Sequence, residues 1–86
     1  MSYRIKLAKE LASILISIRK AKKLNQTELG ERLGLSQRTV AQFEAKPERA
    51  SFERVLKVAN ALDMDIILIE RSNEGHLSNG HVGDSW

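Results

Sequence analysis

Eighty-six residues, 42% of them hydrophobic and 29% charged, suffice for one small domain with a limited core, so dimerisation is an expected route to further apolar burial. All fourteen Lys and Arg fall within residues 1–71 against nine acids, a net +5, while residues 72–86 carry −2 through Glu74 and Asp84; the basic part calls for an anionic partner, duplex DNA first. No apolar run approaches the roughly 20 residues of a membrane span, no leader or lipid-anchor pattern is visible, and the lack of cysteine removes disulfides and thiolate metal sites, in keeping with a cytoplasmic setting.

Leu7, Leu11, Ile14, Leu15 and Ile18 recur at three- and four-residue steps, which predicts an amphipathic helix from about Lys6 to Lys22. Arg19, Lys20, Lys22 and Lys23 crowd its last turn. Cations there complement the helix dipole, and the same charges suit a phosphate backbone; both readings stand. Ile16 lies off the stripe, either exposed or against a second subunit or the C-terminal segment.

Two short helices joined by a tight turn follow over residues 26–44. Asn25 and Glu28 form a capping box with Leu24 stapled onto Leu29, so the first of the pair begins near Asn25. Gly34 falls where that helix must end, because a residue without Cβ enters the left-handed conformation at little cost. Ser36 caps the second helix, Leu35 and Val40 staple it, and Leu29, Leu33, Val40 and Phe43 fill the corner between the two. Gln37, Arg38, Ala41 and Gln42 remain outward. Gln pairs with the adenine N6/N7 edge, Arg with guanine O6/N7, and Ala touches the thymine methyl, so this face is expected to read bases in a major groove. Lys22, Lys23, Ser36, Thr39 and Lys46 flank it as expected phosphate contacts.

Residues 45–50 contain the single proline, Pro47, which cannot continue the preceding helix and biases Lys46 towards extended geometry. Ser51 caps a fourth helix whose apolar stripe is Phe52, Val55, Leu56, Ala59 and Leu62. Ile66, Ile67, Leu68 and Ile69, bounded by charge, read as a strand over 65–70, the alternative being an extension or a short helix. The chain offers that strand no partner, and an apolar edge invites a second copy, so a two-stranded intersubunit sheet is expected. Residues 72–86 hold three of the five glycines and form a flexible tail outside the 1–71 domain. The tail ends in Trp86, either an aromatic anchor for a partner's pocket, an incidental terminus, or a residue tucked against its own domain. His76 and His81 are two imidazoles without a cysteine, so neither a metal nor any other cofactor is expected.

Leu24-Asn25-Gln26, Gly30, Gly34, Val40 and Phe43-Glu44 stand where the Cro/C1-type (XRE-like) helix-turn-helix family places them, and over about residues 6–63 the chain resembles that family. The resemblance implies a mainly α fold, with Gln26 clamping a phosphate and Arg19 paired with Glu44 to lock the first helix to the recognition helix. With the 65–70 segment and the terminal Trp, the whole is similar to the HipB-type antitoxins of HipA-like kinase toxins. That likeness implies a homodimer closed by a β-lid, a palindromic operator upstream of its own operon, and a kinase toxin engaged through Trp86. Arg38 and Ala41 depart from the best-known members, so no operator sequence carries over.

The expected function is therefore a dimeric repressor and antitoxin, without a small-molecule ligand. A stand-alone phage-repressor-type regulator is the alternative, and a helix-turn-helix turned protein-interaction module a further one. No nucleophile with a paired base, phosphate-cradling glycine loop or metal cluster is present in the sequence, so no catalytic residue is assigned.

Overall fold

A computed structural model describes residues 2–71. It is all helical: α1 (Ala8–Ala21), α2 (Gln26–Leu33), α3 (Gln37–Ala45) and α4 (Phe52–Ala61), with one 3₁₀ turn at Pro47–Arg49. Three of the four helices begin on a side-chain cap. Asn25 Oδ1 accepts the Glu28 N–H at 2.7 Å while Glu28 Oε1 accepts the Asn25 N–H at 2.9 Å, the full reciprocal box. Ser36 and Ser51 cap α3 and α4 through the N–H groups of Thr39 and Arg54 at 3.1 and 3.0 Å.

The first helix starts two residues later than its apolar spacing suggests. Leu7 has no side-chain oxygen to cap with, adopts extended angles and stays exposed. Glu10 substitutes for the missing cap: its carboxylate accepts the N–H groups of Lys6 and Leu7 at 2.7 and 3.0 Å. These two bonds, the larger with Lys6, hold the Glu10 carboxyl below its ordinary value of 4.5. The sign follows. A lowered folded value stabilises the helix start above the unfolded carboxyl's pKa, and that contribution disappears as pH falls through the lowered one. We expect amide exchange at Lys6 and Leu7 to accelerate, beyond its intrinsic pH trend, as the Glu10 carboxylate protonates below the ordinary carboxyl value, and to lose this acid-dependent step in Glu10→Gln; an unchanged profile in that variant would exclude the capping role.

Three helices close with the same left-handed exit. Gly34 (φ 72°) ends α2, and the Leu35 N–H donates to the Gly30 carbonyl at 2.8 Å. Lys23 (φ 60°) and Asp63 (φ 61°) play the part of Gly34 after α1 and α4, with Leu24 N–H to Arg19 O at 3.1 Å and Met64 N–H to Ala59 O at 2.9 Å. Gly30 is required for a different reason: a Cβ there would lie 2.5 Å from the Leu35 carbonyl oxygen, inside the turn that sets the angle between α2 and α3.

The core gathers Leu15, Leu29, Val40, Phe43, Val55, Val58, Ala59 and Leu62, with Leu11, Ile18, Leu24, Leu33 and Leu35 packed around it. The α4 stripe is rotated from the expected one. Val58 is buried, whereas Phe52 is 65% and Leu56 37% exposed, because the apolar arc of α4 is wider than the surface that α1–α3 offer it. Ile16 is half-buried.

The strand expected at 65–70 does not form within the chain: no strand exists among the described residues, and 64–71 runs without regular backbone bonding. A strand needs a ladder partner, and the described residues supply none to this segment. Met64 packs on the core, and Ile66, Ile67, Leu68 and Ile69 then emerge with exposures of 39, 71, 94 and 79%. Trp86, His76, His81 and the whole 72–86 tail lie outside the described residues.

Candidate nucleic-acid interface

Val40 and Phe43 anchor one side of α3 in the core, which fixes what the helix presents outward. Gln37, Arg38 and Gln42 are exposed, while Ala41 is half-buried and sits at the edge of the face. The Ser36 and Thr39 hydroxyls lie 3.0 Å apart, and Ser36 also accepts the Thr39 N–H, so the expected phosphate-binding hydroxyls serve the α3 cap in the isolated chain.

Behind this face, a chain of polar contacts holds α3 against α1 and α2. Arg19 is the one buried charged residue among those described. Its Nε and Nη2 donate to the two carboxylate oxygens of Glu44 at 2.7 and 3.1 Å, and its Nη1 donates to the Leu24 carbonyl at 2.8 Å. A bidentate guanidinium–carboxylate pair is directional as well as strong, and here it joins α1 to the C-terminal half of α3. Glu44 Oε1 also accepts Gln26 Nε2 at 2.9 Å, and Gln26 Oε1 accepts Gln37 Nε2 at 2.6 Å. Gln26 therefore links the buried pair to the first outward residue of α3. That link was absent from the sequence reading, since Gln26 and Gln37 lie on different helices and no spacing rule joins them.

The expected phosphate-contacting cations divide between two regions. Lys46 lies with Thr39 and Gln42 along a groove of about 540 Å³ whose other walls include Phe43, Arg49 and Arg54. Arg49 and Arg54 went unnoticed in the sequence because a charge in a polar connection and one on an amphipathic helix look like ordinary surface residues. The fold brings both beside the α3 face. Lys22 is drawn instead towards α4, its Nζ 3.4 Å from Asp63 Oδ2 in a largely exposed pair, while Lys23 is exposed at its left-handed turn. No group of three or more metal-ligating side chains occurs among the described residues, and none of their helices is long and apolar enough to cross a membrane.

The family model described as Helix-turn-helix matches residues 15–69, which takes in the capped α2–α3 pair and every residue of the buried core cluster. Among curated proteins the chain is similar to the antitoxin HigA1 of Mycobacterium tuberculosis, 36% identical over 62 residues that cover 72% of this chain and 42% of that one. The chain thus matches less than half the length of HigA1. It is also similar to the antitoxin HipB of Escherichia coli K12, 23% identical over 77 residues covering 90% of this chain and 88% of HipB. A solved HipA–HipB–O2–O3 complex contains a chain with the same fold, with a TM-score of 0.76 at 22% identity over 83% of this chain and 100% of that one.

Proposed function

The chain belongs to the Cro/C1-type helix-turn-helix family, a family of DNA-binding regulators and not of enzymes, and from that premise we propose that it is a dimeric repressor acting as the antitoxin of a HipA-like kinase toxin. The observation that carries the DNA-binding part is the outward Gln37, Arg38 and Gln42 face, oriented by the Arg19–Glu44–Gln26–Gln37 chain of contacts. Two such faces, one per protomer and about 34–36 Å apart, enter successive major grooves of a palindromic operator and occlude it. Gln37, Arg38 and Gln42 read bases, with the Ala41 methyl against a thymine. Gln26, Ser36, Thr39 and Lys46 contact phosphates at the rim, joined by Lys22 and Lys23 from the end of α1 and by Arg49 and Arg54 from the groove. Gln26 keeps one Nε2 hydrogen on Glu44 and donates the second to a phosphate oxygen, while Lys22 exchanges Asp63 for one. Residues 1–71 form the DNA-binding and dimerising unit, with Ile66–Ile69 pairing across the two protomers in a β-lid, and the protein works in the cytoplasm.

The antitoxin part is supported by the likeness to HigA1 and HipB and by the aromatic end of the tail, Trp86. Affinity purification from the native cell, with and without residues 72–86, tests it. Recovery of a kinase that is lost on truncation, with DNA retained in both samples, is the expected result; DNA with no protein partner in either sample would reduce the protein to a stand-alone repressor.

The division of roles on the DNA face is tested by titration against operator variants at several salt concentrations. Arg38→Ala is expected to cost about 1–3 kcal/mol on the cognate site and to relax preference at a single base pair. Arg54→Ala is expected to weaken binding to every sequence alike and to lower the salt slope by about one. An Arg38→Ala loss that is equal on all sequences would remove Arg38 from base reading.

A further inference from the structure

The groove beside α3 combines charge of one sign with an apolar wall. Lys46, Arg49 and Arg54 line it together with Phe43, Ala45 and Ala50, and no acidic side chain does. Among the described residues none of the three cations enters an ion pair. Of the acids close in sequence, Glu44 is bonded to Arg19 and Gln26, Glu53 lies 3.8 Å from Lys57, and Glu48 is exposed and outside the lining. A phosphate oxygen uses only the cations of such a site. An aromatic side chain with a carboxylate near it uses both parts, the ring against the apolar wall and beside a guanidinium, the carboxylate on the cations.

The chain itself carries that combination in Asp84-Ser85-Trp86, within residues 72–86, which hold two acids and no Lys or Arg. We propose that Trp86 and Asp84 dock in the α3 groove of their own protein, Trp86 against Phe43, Ala45 and Ala50 and Asp84 among Lys46, Arg49 and Arg54, and so compete with DNA for the face they cover. The proposal rests on the DNA-binding reading above and adds a regulatory contact to it. Extended chain sets side chains two residues apart on the same side and roughly 6.5 Å from each other. A groove of about 540 Å³ takes both.

Reach and affinity agree with this docking. The chain from Arg71 to Trp86 spans up to about 50 Å, against a longest dimension of 47 Å for the domain. A segment tethered at this length has an effective concentration on the order of 1 mM, so a groove affinity on the order of 0.1 mM keeps the groove occupied about nine-tenths of the time. DNA then meets an open groove in about one protomer in ten, and its apparent affinity falls about tenfold on every sequence alike. Thr39, Gln42 and Lys46 belong both to the groove and to the proposed DNA contacts, which is why the two occupants exclude each other. Trp86 seated there is also withheld from any other protein.

Trp86 is the single tryptophan, so its fluorescence, excited at the red edge where Tyr3 is silent, reports docking in the full chain. Its emission is expected to be blue-shifted and shielded from acrylamide at low salt. Lys46→Glu and Arg49→Glu, both at exposed positions, should each expose the indole, and so should saturating random-sequence duplex DNA. Trp86→Ala leaves the net charge unchanged and should raise affinity for that duplex about tenfold. A fully quenchable Trp86 in the parent chain, or shielding that survives both groove variants, would overturn the docking. Shielding that persists with duplex bound, or unchanged affinity in Trp86→Ala, would overturn the competition. Absence of duplex binding by the parent chain and Trp86→Ala alike would instead remove the DNA-binding reading, and the competition with it, while the groove variants still read the docking.

Discussion

Arg19→Ala is expected to destabilise the domain by about 3–5 kcal/mol, measured by denaturant unfolding, the largest loss for any single charged residue here. The arginine and glutamate side chains are only 9 and 10% exposed, so truncating Arg19 strands the Glu44 carboxylate in a poorly solvated site with Gln26 as its remaining partner and leaves the Leu24 carbonyl without its donor. Stability and function should separate in a second variant. Replacing the pair together, Arg19→Met with Glu44→Leu, removes both charges and fills the space, and is expected to unfold within about 1 kcal/mol of the parent protein. It should still bind operator more weakly, because Gln26 loses its acceptor and no longer holds Gln37. Full affinity in the paired variant would show that the polar chain serves folding alone, and an Arg19→Ala loss below about 1 kcal/mol would show that the pair is solvated in solution.

Ile67→Asp is expected to convert the dimer to monomers and to lower operator affinity by about 10²–10⁴, the scale on which a second linked binding event raises avidity. Ile67 is 71% exposed and outside the core, so the helical domain should remain folded and each monomer should still recognise one half-site weakly. Sedimentation and operator titration check the two halves of the prediction. A variant that sediments as a dimer would mean that the lid model is wrong and that protomers associate through another surface.

The local architecture was legible because its determinants are local. Asn25, Ser36 and Ser51 lie within three residues of the N–H groups they satisfy, and Gly34 marks its turn by its own conformational freedom. The capped pair, its buried corner and the outward polar face of α3 could therefore be read from spacing alone. Two kinds of error followed where the determinants lie elsewhere. The periodicity of α4 specifies an apolar arc, but which part of it is buried depends on the width of the surface opposite, and so Val58 was overlooked while Phe52 and Leu56 were assigned to the core. The start of α1 followed the Leu7–Leu11 spacing, whereas Leu7 proved to be the residue before the helix.

Local spacing and capping residues specify the four helices, the caps of α2, α3 and α4, and a basic, cysteine-free domain that presents Gln37, Arg38 and Gln42 on one short helix. What holds Gln37 in that face depends on tertiary packing. Arg19 and Glu44 are 25 positions apart and Gln26 and Gln37 are 11 apart, separations at which chain connectivity imposes no contact and packing alone brings donors to acceptors. Residues 64–71 mark the opposite limit: their apolar pattern is plain in the sequence, but a strand is a relation between two segments, and no strand forms among the described residues.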